Sequence, residues 1–449
     1  MQREAAVTGY VERRERLTSA LRAGVGQVGL AKRTSNLFRD RTAITKHRLD
    51  VRDFHHVLEV NPIEGWLDAE GMADYETIVA AVLEHGVMPA VVPELKSITI
   101  GGAAAGVGIE ATSFRHGLVH ETLLEMDILL ADGTVVLARP DNEHADLFYG
   151  FANSYGTLGY ALRLRARTVP VKPFVQVNRT QYVNAIDYFH ALGRACESNV
   201  AFVDGVVFDR QTLYLNTARF VDTAPATSDY TYRDIYYQSI RTKPRDFLSV
   251  QDYIWRWDTD WFWCSKQVGA QNPLLRRLFG RSRLGSRTYQ RIMRVNSALG
   301  LTRAIDRVLR RSAESVIQDV DIPIEHAAQF LDRFLDRVGI TPVWICPIRP
   351  SPQAARFKLF PMTPGHLYIN FGFWDVVHSR EARAPGYLNR FIEDEVTRLG
   401  GIKSLYSDSY YSPQAFWSIY DHAAYQSLKR RYDPRGRLGD LYAKCVLRH

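Results

Sequence analysis

The chain has 449 residues, which is enough for two or three domains; 46% of them are hydrophobic and 24% are charged. This composition supports a sizeable core and excludes disordered, collagen-like and coiled-coil proteins. The formal net charge of +8 indicates an anionic partner such as nucleic acid, a phosphorylated ligand or a membrane surface.

Neither a targeting signal nor a disulfide framework is evident in the sequence. The first 21 residues are charged and lack the apolar run of a signal peptide, and no stretch approaches the roughly 18–20 apolar residues of a membrane span. The cysteines stand far apart, without the spacing of a zinc site or a redox motif, at Cys196, Cys264, Cys346 and Cys445. We therefore expect a cytoplasmic protein that is soluble or peripheral to a membrane.

The first part of the chain alternates predicted strands and helices up to a boundary at Pro170 and Pro173, where two prolines interrupt regular structure. Helically spaced apolar residues predict a helix over residues 73–85. Two apolar runs around an Asp-Gly turn, at residues 123–130 and 134–138, predict a hairpin. Alternating apolar and basic residues predict a half-buried strand over residues 158–169.

Aromatic residues become dense between positions 174 and 400. Four aromatic-rich or apolar segments predict strands at 315–324, 342–348 and 366–373 and a helix at 324–338, and a last helix is predicted at 413–428. Five aromatic residues at odd positions would share one face if their segment were extended: Tyr253, Trp255, Trp257, Trp261 and Trp263.

The most informative stretch is rich in glycine and alanine and runs from Ile98 to Glu110. Such a backbone can approach a flat or phosphorylated ligand closely, because glycine allows positive φ and exposes N–H groups to phosphate oxygens. Residues 106–111 alone also match a relaxed dinucleotide-binding fingerprint. That fingerprint needs a full strand before it and a helix after it, whereas only three strand-like residues precede the glycines and Gly117 interrupts any helix. A purely structural turn is a third interpretation.

The order of motifs along nearly the whole chain resembles the FAD domain of the vanillyl-alcohol oxidase type, also called the PCMH-type domain. The motifs that carry this resemblance are Thr99-Ile100-Gly101-Gly102, Gly106, Gly108, Ser113, His116-Gly117, Asp132-Gly133, Asp146-Leu147-Phe148 and Gly156-Thr157-Leu158-Gly159. Within that superfamily the chain looks most like the Δ24-sterol reductase branch, through residues 93–95, 106–110, 146–149, 344–347 and 414–421.

The chain is also similar to bacterial flavoproteins that reduce a 10-methylene fatty acyl chain to 10-methyl, as in tuberculostearate synthesis. Eukaryotic sterol reductases begin with a membrane-inserting segment, and we expect none here. The soluble start and an arginine-rich segment favour the bacterial branch.

The resemblance implies an α+β fold in three parts. Residues 1–173 would form a two-subdomain FAD-binding domain. Residues 174–400 would form a substrate (cap) domain with a mixed or antiparallel sheet and flanking helices. Residues 401–449 would return to the FAD domain.

The resemblance also implies FAD held noncovalently by two loops. The first loop contains Lys32, Arg33, Thr34, Ser35, Asn36 and Leu37, for which a basic surface turn is the alternative interpretation. The second loop and its surroundings contain Gly101, Gly102, Gly106, Gly108, Ile109, Ser113, His116, Gly117 and Val119, and Gly156 and Thr157 would lie against the flavin ring. Covalent attachment uses His or Cys, but the first loop has neither and His116 resembles a non-linking position. His116 and His120 are four residues apart without a third ligand in view, so we predict no metal.

Both reductase families imply NADPH-dependent reduction of an isolated alkene, which has no carbonyl to accept hydride by conjugate addition. Protonation to a tertiary carbocation must come first, and this needs a general acid and a dry aromatic lining. The candidate acids are Glu110, Asp319, Asp321 and Tyr410, and surface exposure is the alternative for the aspartates. The candidate lining consists of Trp255, Trp261, Trp263 and Trp344, for which an aromatic core or a membrane-contacting face is the alternative.

Two functions from other classes remain open. One is an oxidase of the same fold that acts on a sugar or an alcohol, and the other is a non-catalytic lipid-binding flavoprotein. The aromatic and apolar middle of the chain favours a lipid over a sugar. A methyltransferase that makes the methylene group is an implied partner.

The positive charge is concentrated in residues 273–311, which contain eleven arginines and one aspartate, so the rest of the chain is slightly acidic. No nucleic-acid recognition motif accompanies these arginines, and we predict no nucleic-acid partner. Leucines alternate with them, which is typical of a segment that binds an anionic membrane surface, here at the inner face. The predicted membrane contacts are Arg276, Arg277, Arg281, Arg283 and Arg287, and a solvated helical face is the alternative.

Overall fold

The structure is a computed structural model that describes residues 2–34, 38–39, 45–299, 312–381 and 383–449, without the side chains of residues 2–5, 267–268 and 293–299. The strands in these ranges are β1 Val28–Ala31, β2 His47–Asp50, β3 Val57–Asn61, β4 Trp66–Glu70, β5 Val87–Pro89, β6 Leu123–Leu129, β7 Val135–Ala138, β8 Tyr160–Pro170, β9 Phe174–Tyr182, β10 Phe202–Asp209, β11 Thr212–Val221, β12 Arg245–Ser249, β13 Ser312–Pro323, β14 Val343–Ile348, β15 Tyr368–Ser379 and β16 Ile402–Lys403.

The helices in the same ranges are α1 Gln2–Ala23, α2 Tyr75–Leu83, α3 Ile100–Ala105, α4 Ser113–His116, α5 Ala145–Gly150, α6 Ala185–Cys196, α7 Tyr236–Ser239, α8 Val250–Ile254, α9 Pro273–Phe279, α10 Ser286–Leu299, α11 Ile324–Arg337, α12 Tyr387–Arg398, α13 Pro413–Ile419, α14 His422–Tyr432 and α15 Leu441–Cys445. None of these helices has the length and apolar character that crossing a bilayer requires.

The residues up to Pro170 form two sheets. β1 and β2 pair in parallel, while β3, β4, β8, β6 and β7 form an antiparallel sheet in that order, with β5 added beside β8. The hairpin predicted around Asp132 and Gly133 is confirmed as β6 and β7, with Met126 opposite Ala138. The amphipathic helix predicted nearby is α2, and its apolar side is buried.

Residues 174–403 form an eight-stranded antiparallel sheet in the order β12-β9-β11-β10-β14-β15-β13-β16. One face packs against α6, α11 and α12 in a single apolar core, to which Val316 and Val320 of β13 belong. Because side chains alternate along a strand, Ile317 and Asp319 point to the opposite face, where a cavity lies. The predicted α+β class with a helix-flanked antiparallel sheet is confirmed.

Two predicted elements differ from the structure. Residues 413–428 are split into α13 and α14 at Asp421, whose φ is 37° and whose side chain accepts the backbone N–H of Ala424 to cap α14. The tryptophan-rich segment is not extended, because α8 ends at Ile254 and residues 261–263 have positive φ. Its aromatic side chains therefore form a compact cluster rather than one face of a strand.

The C-terminal residues return to the N-terminal part of the chain. Arg437 donates hydrogen bonds to the carbonyl oxygens of Gly24 and Ala131, each at 2.8 Å, and its own carbonyl accepts the N–H of Val28. Tyr425 and Leu441 are buried in the same apolar core as β4, β6 and β8. The C-terminal residues thus pack against the sheets formed by the first part of the chain.

Candidate functional site

A cavity of about 600 Å³ separates the glycine-rich stretch from the face of the large sheet that lies opposite α6, α11 and α12. Its walls come from the first loop, the glycine stretch, the tryptophan-rich segment, the large sheet and the C-terminal residues. The residues that line the cavity include Lys32, Thr34, Arg39, Glu94, Gly101, Gly102, Gly106, Gly108, Ile109, Tyr155, Gly156, Trp261, Asp319, Trp344, Trp374, Tyr406 and Lys444.

The glycine stretch forms one wall because side chains are excluded there. Thr99 caps α3 by accepting the N–H of Gly102, which turns the glycine backbone toward the cavity. A Cβ atom at Gly101 would lie 2.6 Å from the carbonyl oxygen of Gly71, and one at Gly108 would lie 2.6 Å from a methyl group of Val119. The bare backbone is therefore enforced by packing, as a cradle for a closely held ligand requires.

Positive side chains gather at one end of the cavity. Arg39 donates from Nη1 to the carbonyl oxygen of Leu405 at 2.7 Å, whereas its Nε and Nη2 are buried without a protein partner among the described residues. Lys444 donates to the carbonyl oxygen of Tyr155, and burial together with Arg39, Lys46 and Lys32 lowers the pKa of Lys444 to about 7. Because a bound anion would relieve the repulsion among these cations, this end of the cavity suits a pyrophosphate.

The cavity therefore has the features that FAD requires, with a glycine cradle beside a cationic group. Lys32, Thr34, Arg39 and Lys444 would hold the phosphates, and the backbone of Gly101, Gly102, Gly106, Gly108 and Gly156 would allow close approach. Ser35, Asn36 and Leu37 of the predicted first loop lie outside the described residues.

Other predicted cofactor residues lie behind the cavity wall rather than on it. Ser113 is buried at the start of α4, where its hydroxyl accepts the N–H of Glu110. Val119 packs against Gly108, and Thr157 is buried with its hydroxyl on the carbonyl oxygen of Ser154. Arg33, His116 and Gly117 also do not line the cavity, and burial lowers the pKa of His116. In the described part of the chain, no group of three His, Cys, Asp or Glu side chains is placed to hold a metal ion.

Aromatic side chains cover the far wall of the cavity. Trp261 and Trp344 line it, as does Trp374, whose indole N–H donates to the hydroxyl of Tyr406. Trp255 and Trp263 do not line it, because the turns that end α8 direct them into the surrounding apolar core. The aromatic lining thus involves two of the four predicted tryptophans together with Trp374.

Asp319 and Asp321 project from the same face of β13, and Asp319 reaches the cavity. Burial raises the pKa of each carboxyl group to about 7. Hydrogen bonds from Tyr406 to Asp319 and from Asn370 to Asp321 lower the pKa and partly oppose this effect. Asn370 donates to Asp321 at 2.7 Å. Tyr410 lies away from the cavity, where its hydroxyl accepts from Arg448 at 3.1 Å.

A second group of buried acids lies under the glycine stretch. Glu110 accepts from Nη2 of Arg256 at 2.6 Å, and the same nitrogen donates to Asp204 at 2.8 Å. Glu110 itself does not line the cavity, but its neighbour Glu94 does. Burial and the adjacent Glu110 raise the pKa of Glu94 well above its usual value.

The arginine-rich segment divides into buried and exposed members. Arg276 is only 2% exposed and donates from Nη1 to Asp260 at 2.7 Å, so the prediction that it contacts a membrane is wrong. Arg281 pairs with Asp229, and Arg287 pairs with Asp74 and Glu76. Arg277 and Arg283 are exposed, whereas residues 300–311 of the segment lie outside the described residues.

Several site residues were not nominated from the sequence. Glu94 stood within a motif that carried the family resemblance, and its proline–acid–leucine context could have drawn attention to it. Arg39, Tyr406 and Lys444 carry no local signal, because only the fold brings the first loop and the C-terminal residues to one cavity.

The comparisons with known proteins agree with this geometry. Residues 22–139 match the family described as FAD binding domain. The Δ24-sterol reductase of Homo sapiens is 26% identical over 406 residues, which cover 86% of this chain and 75% of the relative. The Δ24-sterol reductase of Pisum sativum is 22% identical over 445 residues, covering 88% and 76%.

A more distant similarity is confined to one part of the chain. Cytokinin dehydrogenase 6 of Oryza sativa subsp. japonica is 29% identical over 153 residues, which cover 33% of this chain and 29% of the relative. The predicted FAD cofactor and PCMH-type domain are thereby confirmed, and the chain is an FAD-dependent oxidoreductase similar to Δ24-sterol reductases over most of its length.

Proposed function

We propose that this protein reduces an isolated carbon–carbon double bond in a lipid, with NADPH as the electron donor. The substrate we favour is a 10-methylene acyl chain on a phospholipid, which would become 10-methyl. The observation that carries the proposal is the cavity itself, in which carboxyl groups of raised pKa face an aromatic wall beside the FAD-binding loops.

The chemistry of an isolated alkene matches this arrangement. Reduced FAD supplies a hydride, which an isolated alkene cannot accept until a proton has made one of its carbons electron-deficient. Burial disfavours the charged forms of two cavity-lining acids, Glu94 and Asp319, and raises the pKa of each. Trp344 and Trp374 add ring faces that can stabilise a cation and exclude water.

A sterol with a side-chain double bond is the second candidate substrate. It is favoured by the similarity to Δ24-sterol reductases over 86% of the chain. An oxidase of sugars is disfavoured, because the wall formed by Trp261, Trp344 and Trp374 offers few polar partners for hydroxyl groups.

We further propose that the enzyme works at the inner face of the membrane, where a methyltransferase that forms the methylene group would be its neighbour. Support comes from α9, where Leu274 and Leu278 are 74% and 76% exposed and Arg277 lies between them. Exposed leucines beside exposed arginines can enter the interface of an anionic bilayer.

The central test is anaerobic turnover of the FAD-loaded protein. NADPH should bleach the flavin absorption, and phospholipid with a 10-methylene chain should restore it, with a product two mass units heavier. Desmosterol-type side chains and saturated phospholipid serve as the comparison substrates. Prompt reoxidation by oxygen with no lipid product would favour the oxidase, and bleaching without any lipid turnover would favour a binding protein.

The membrane proposal is tested by cosedimentation with vesicles that contain anionic or only zwitterionic phospholipid. Leu278→Asp should weaken binding to anionic vesicles, and Leu447→Asp, which alters another exposed leucine, should not. Binding that ignores lipid charge, salt and Leu278 would refute this part of the proposal.

A further inference from the structure

Four charged side chains are packed together beneath the glycine stretch, at the edge of the cavity. Glu94, Glu110, Asp204 and Arg256 are 5%, 4%, 1% and 2% exposed. Arg256 also donates from Nη1 to the carbonyl oxygen of Tyr253, and the rings of Tyr253, Tyr236 and Trp257 surround its guanidinium group. The group is thus almost entirely buried and has a single positive member among three acids.

This imbalance determines where a proton stays. Three ionised carboxylates and one guanidinium would leave two net negative charges in the interior, which is strongly unfavourable. Arg256 donates hydrogen bonds to Glu110 and Asp204, so its positive charge is directed to these two acids. Glu94 instead interacts with Glu110, and one carboxyl oxygen of each is buried without a hydrogen-bond donor among the described residues. A proton on one of the two carboxyl groups would supply the missing donor. The proton therefore resides on Glu94.

Glu94 is also the member of the group that reaches the cavity. Its segment is fixed against the cofactor loop, since a Cβ atom at Gly108 would lie 3.2 Å from Cγ of Pro93. Trp344 and Cys346 lie on the facing side of the sheet, and Trp344 lines the same cavity. Glu94 thus stands between the buried acids and the space in which a substrate would meet the cofactor.

We propose that Glu94, kept protonated by Glu110, is the catalytic acid that protonates the alkene, an assignment that rests on the proposed function. The O–H bond of Glu94 and the π bond of the alkene break, and a new C–H bond forms at the terminal carbon. The other carbon is left with a positive charge, which the carboxylate of Glu94 and the ring of Trp344 face. This carbon would accept the hydride that FAD supplies when it is bound and reduced, and a proton from solvent would restore Glu94.

Glu110, Asp204 and Arg256 act as positioning residues in this assignment. Arg256 fixes Glu110 by ion pairing, and Glu110 in turn orients and retains the proton of Glu94. Asp319 is the competing acid on the opposite wall, but its carboxyl group is engaged by Tyr406 and titrates near neutrality. Glu94 instead has the negatively charged neighbours Glu110 and Asp204, which disfavour loss of its proton.

The test uses the FAD-loaded protein and separates three steps. Glu94→Gln should still bind FAD and be bleached by NADPH, whereas its anaerobic reoxidation by methylene phospholipid should fall by about 10²–10⁴-fold. Asp319→Asn tests the competing acid, and its reoxidation rate should fall less than that of Glu94→Gln. Asp332→Asn, which removes an exposed acid on α11, is the matched control and should behave as wild type.

Infrared difference spectroscopy reports the proton without requiring turnover. In the pH range of the turnover assay, one protonated-carboxyl band of the wild type should shift in D₂O and be absent in Glu94→Gln. Glu110→Gln should lower the pH at which that band disappears, because it removes the neighbouring negative charge. This second variant decides the question if Glu94→Gln fails to fold or to bind FAD.

The outcomes distinguish the assignment from the proposed function. Full reoxidation of Glu94→Gln, or a band that is unaffected by both variants, would overturn the role of Glu94 even if the wild type reduces the lipid. Loss of reoxidation in Asp319→Asn alone would transfer the role to Asp319. If the wild type reduces no lipid while the band behaves as expected, the proposed function fails but the shared proton is established.

Discussion

The paired aspartates of β13 should make the protein less stable as the pH rises through neutrality. Asp321 is 2% exposed, and burial raises its pKa to about 7, from an ordinary value of 3.8. Between these two pH values the folded protein holds a proton on Asp321 that the unfolded chain has lost. The free energy of unfolding therefore falls with increasing pH over this interval and becomes level above it.

The magnitude follows from the width of the interval. One pH unit across which folded and unfolded states differ by one proton changes the free energy of unfolding by about 1.4 kcal/mol. Between about pH 5.5 and 7.5, Asp321 alone should lower the free energy of unfolding by about 2 kcal/mol. The decrease stops near the pKa of Asp321 in the folded protein, so the last part of this interval adds little. Asp319, whose pKa is also about 7, should contribute a similar amount.

Urea unfolding of the FAD-loaded protein, followed by tryptophan fluorescence, measures this difference at the two pH values. In Asp321→Asn, Asn370 can still donate to the new side-chain oxygen, while the titrating group is gone. The loss of stability between the two pH values should then be about 2 kcal/mol smaller than in wild type. Asp332→Asn should leave the wild-type dependence intact, and an equal pH dependence in Asp321→Asn and wild type would refute the reasoning.

Three further variants test the cofactor site and the arginine-rich segment. Lys444→Met should weaken FAD binding by about 10–100-fold, measured by recovery of flavin fluorescence, because a cation that hydrogen-bonds a phosphate is worth about 1.5–3 kcal/mol; unchanged affinity would remove Lys444 from the site. Gly108→Ala should also lower FAD affinity, since its Cβ atom would lie 2.6 Å from Val119, and Gly108→Ala/Val119→Ala should restore much of it. Arg276→Met should lower the free energy of unfolding in urea by about 3–5 kcal/mol, because Asp260 is left buried without its partner. The exposed neighbour provides the control, since Arg277→Met should have no such effect. Equal effects of the two variants would contradict the buried ion pair.

Local patterns were sufficient for elements whose side chains meet near neighbours in the sequence. The hairpin around Asp132 and Gly133 and the alternation along β13 follow from turn chemistry and a two-residue period. The same period was misleading for Trp255, Trp261 and Trp263. In that segment, turns with positive φ override the extended conformation on which the argument depended.

The candidate site was predictable where backbone chemistry is local and unpredictable where charges meet over long distances. The glycine stretch signals a cradle by composition alone. The pairing of Glu110 with Arg256 spans 146 residues, and no pattern near either residue indicates it. Arg276 shows the converse, because its surroundings in sequence suggested a surface charge, whereas the fold gives it Asp260 as a buried partner.

The long return of the chain to its beginning sets an order of events during synthesis. The cradle at Gly101 and Gly108 emerges early, but Leu438 and Lys444, which line the same cavity, are made much later. At roughly 5–20 residues per second, the ribosome needs about 20–70 s to pass from Gly108 to Lys444. Until then the growing chain exposes a half-built cofactor cleft, so flavin can be enclosed only after Lys444 has been made. Chaperone binding to nascent chains should therefore persist until this residue has emerged.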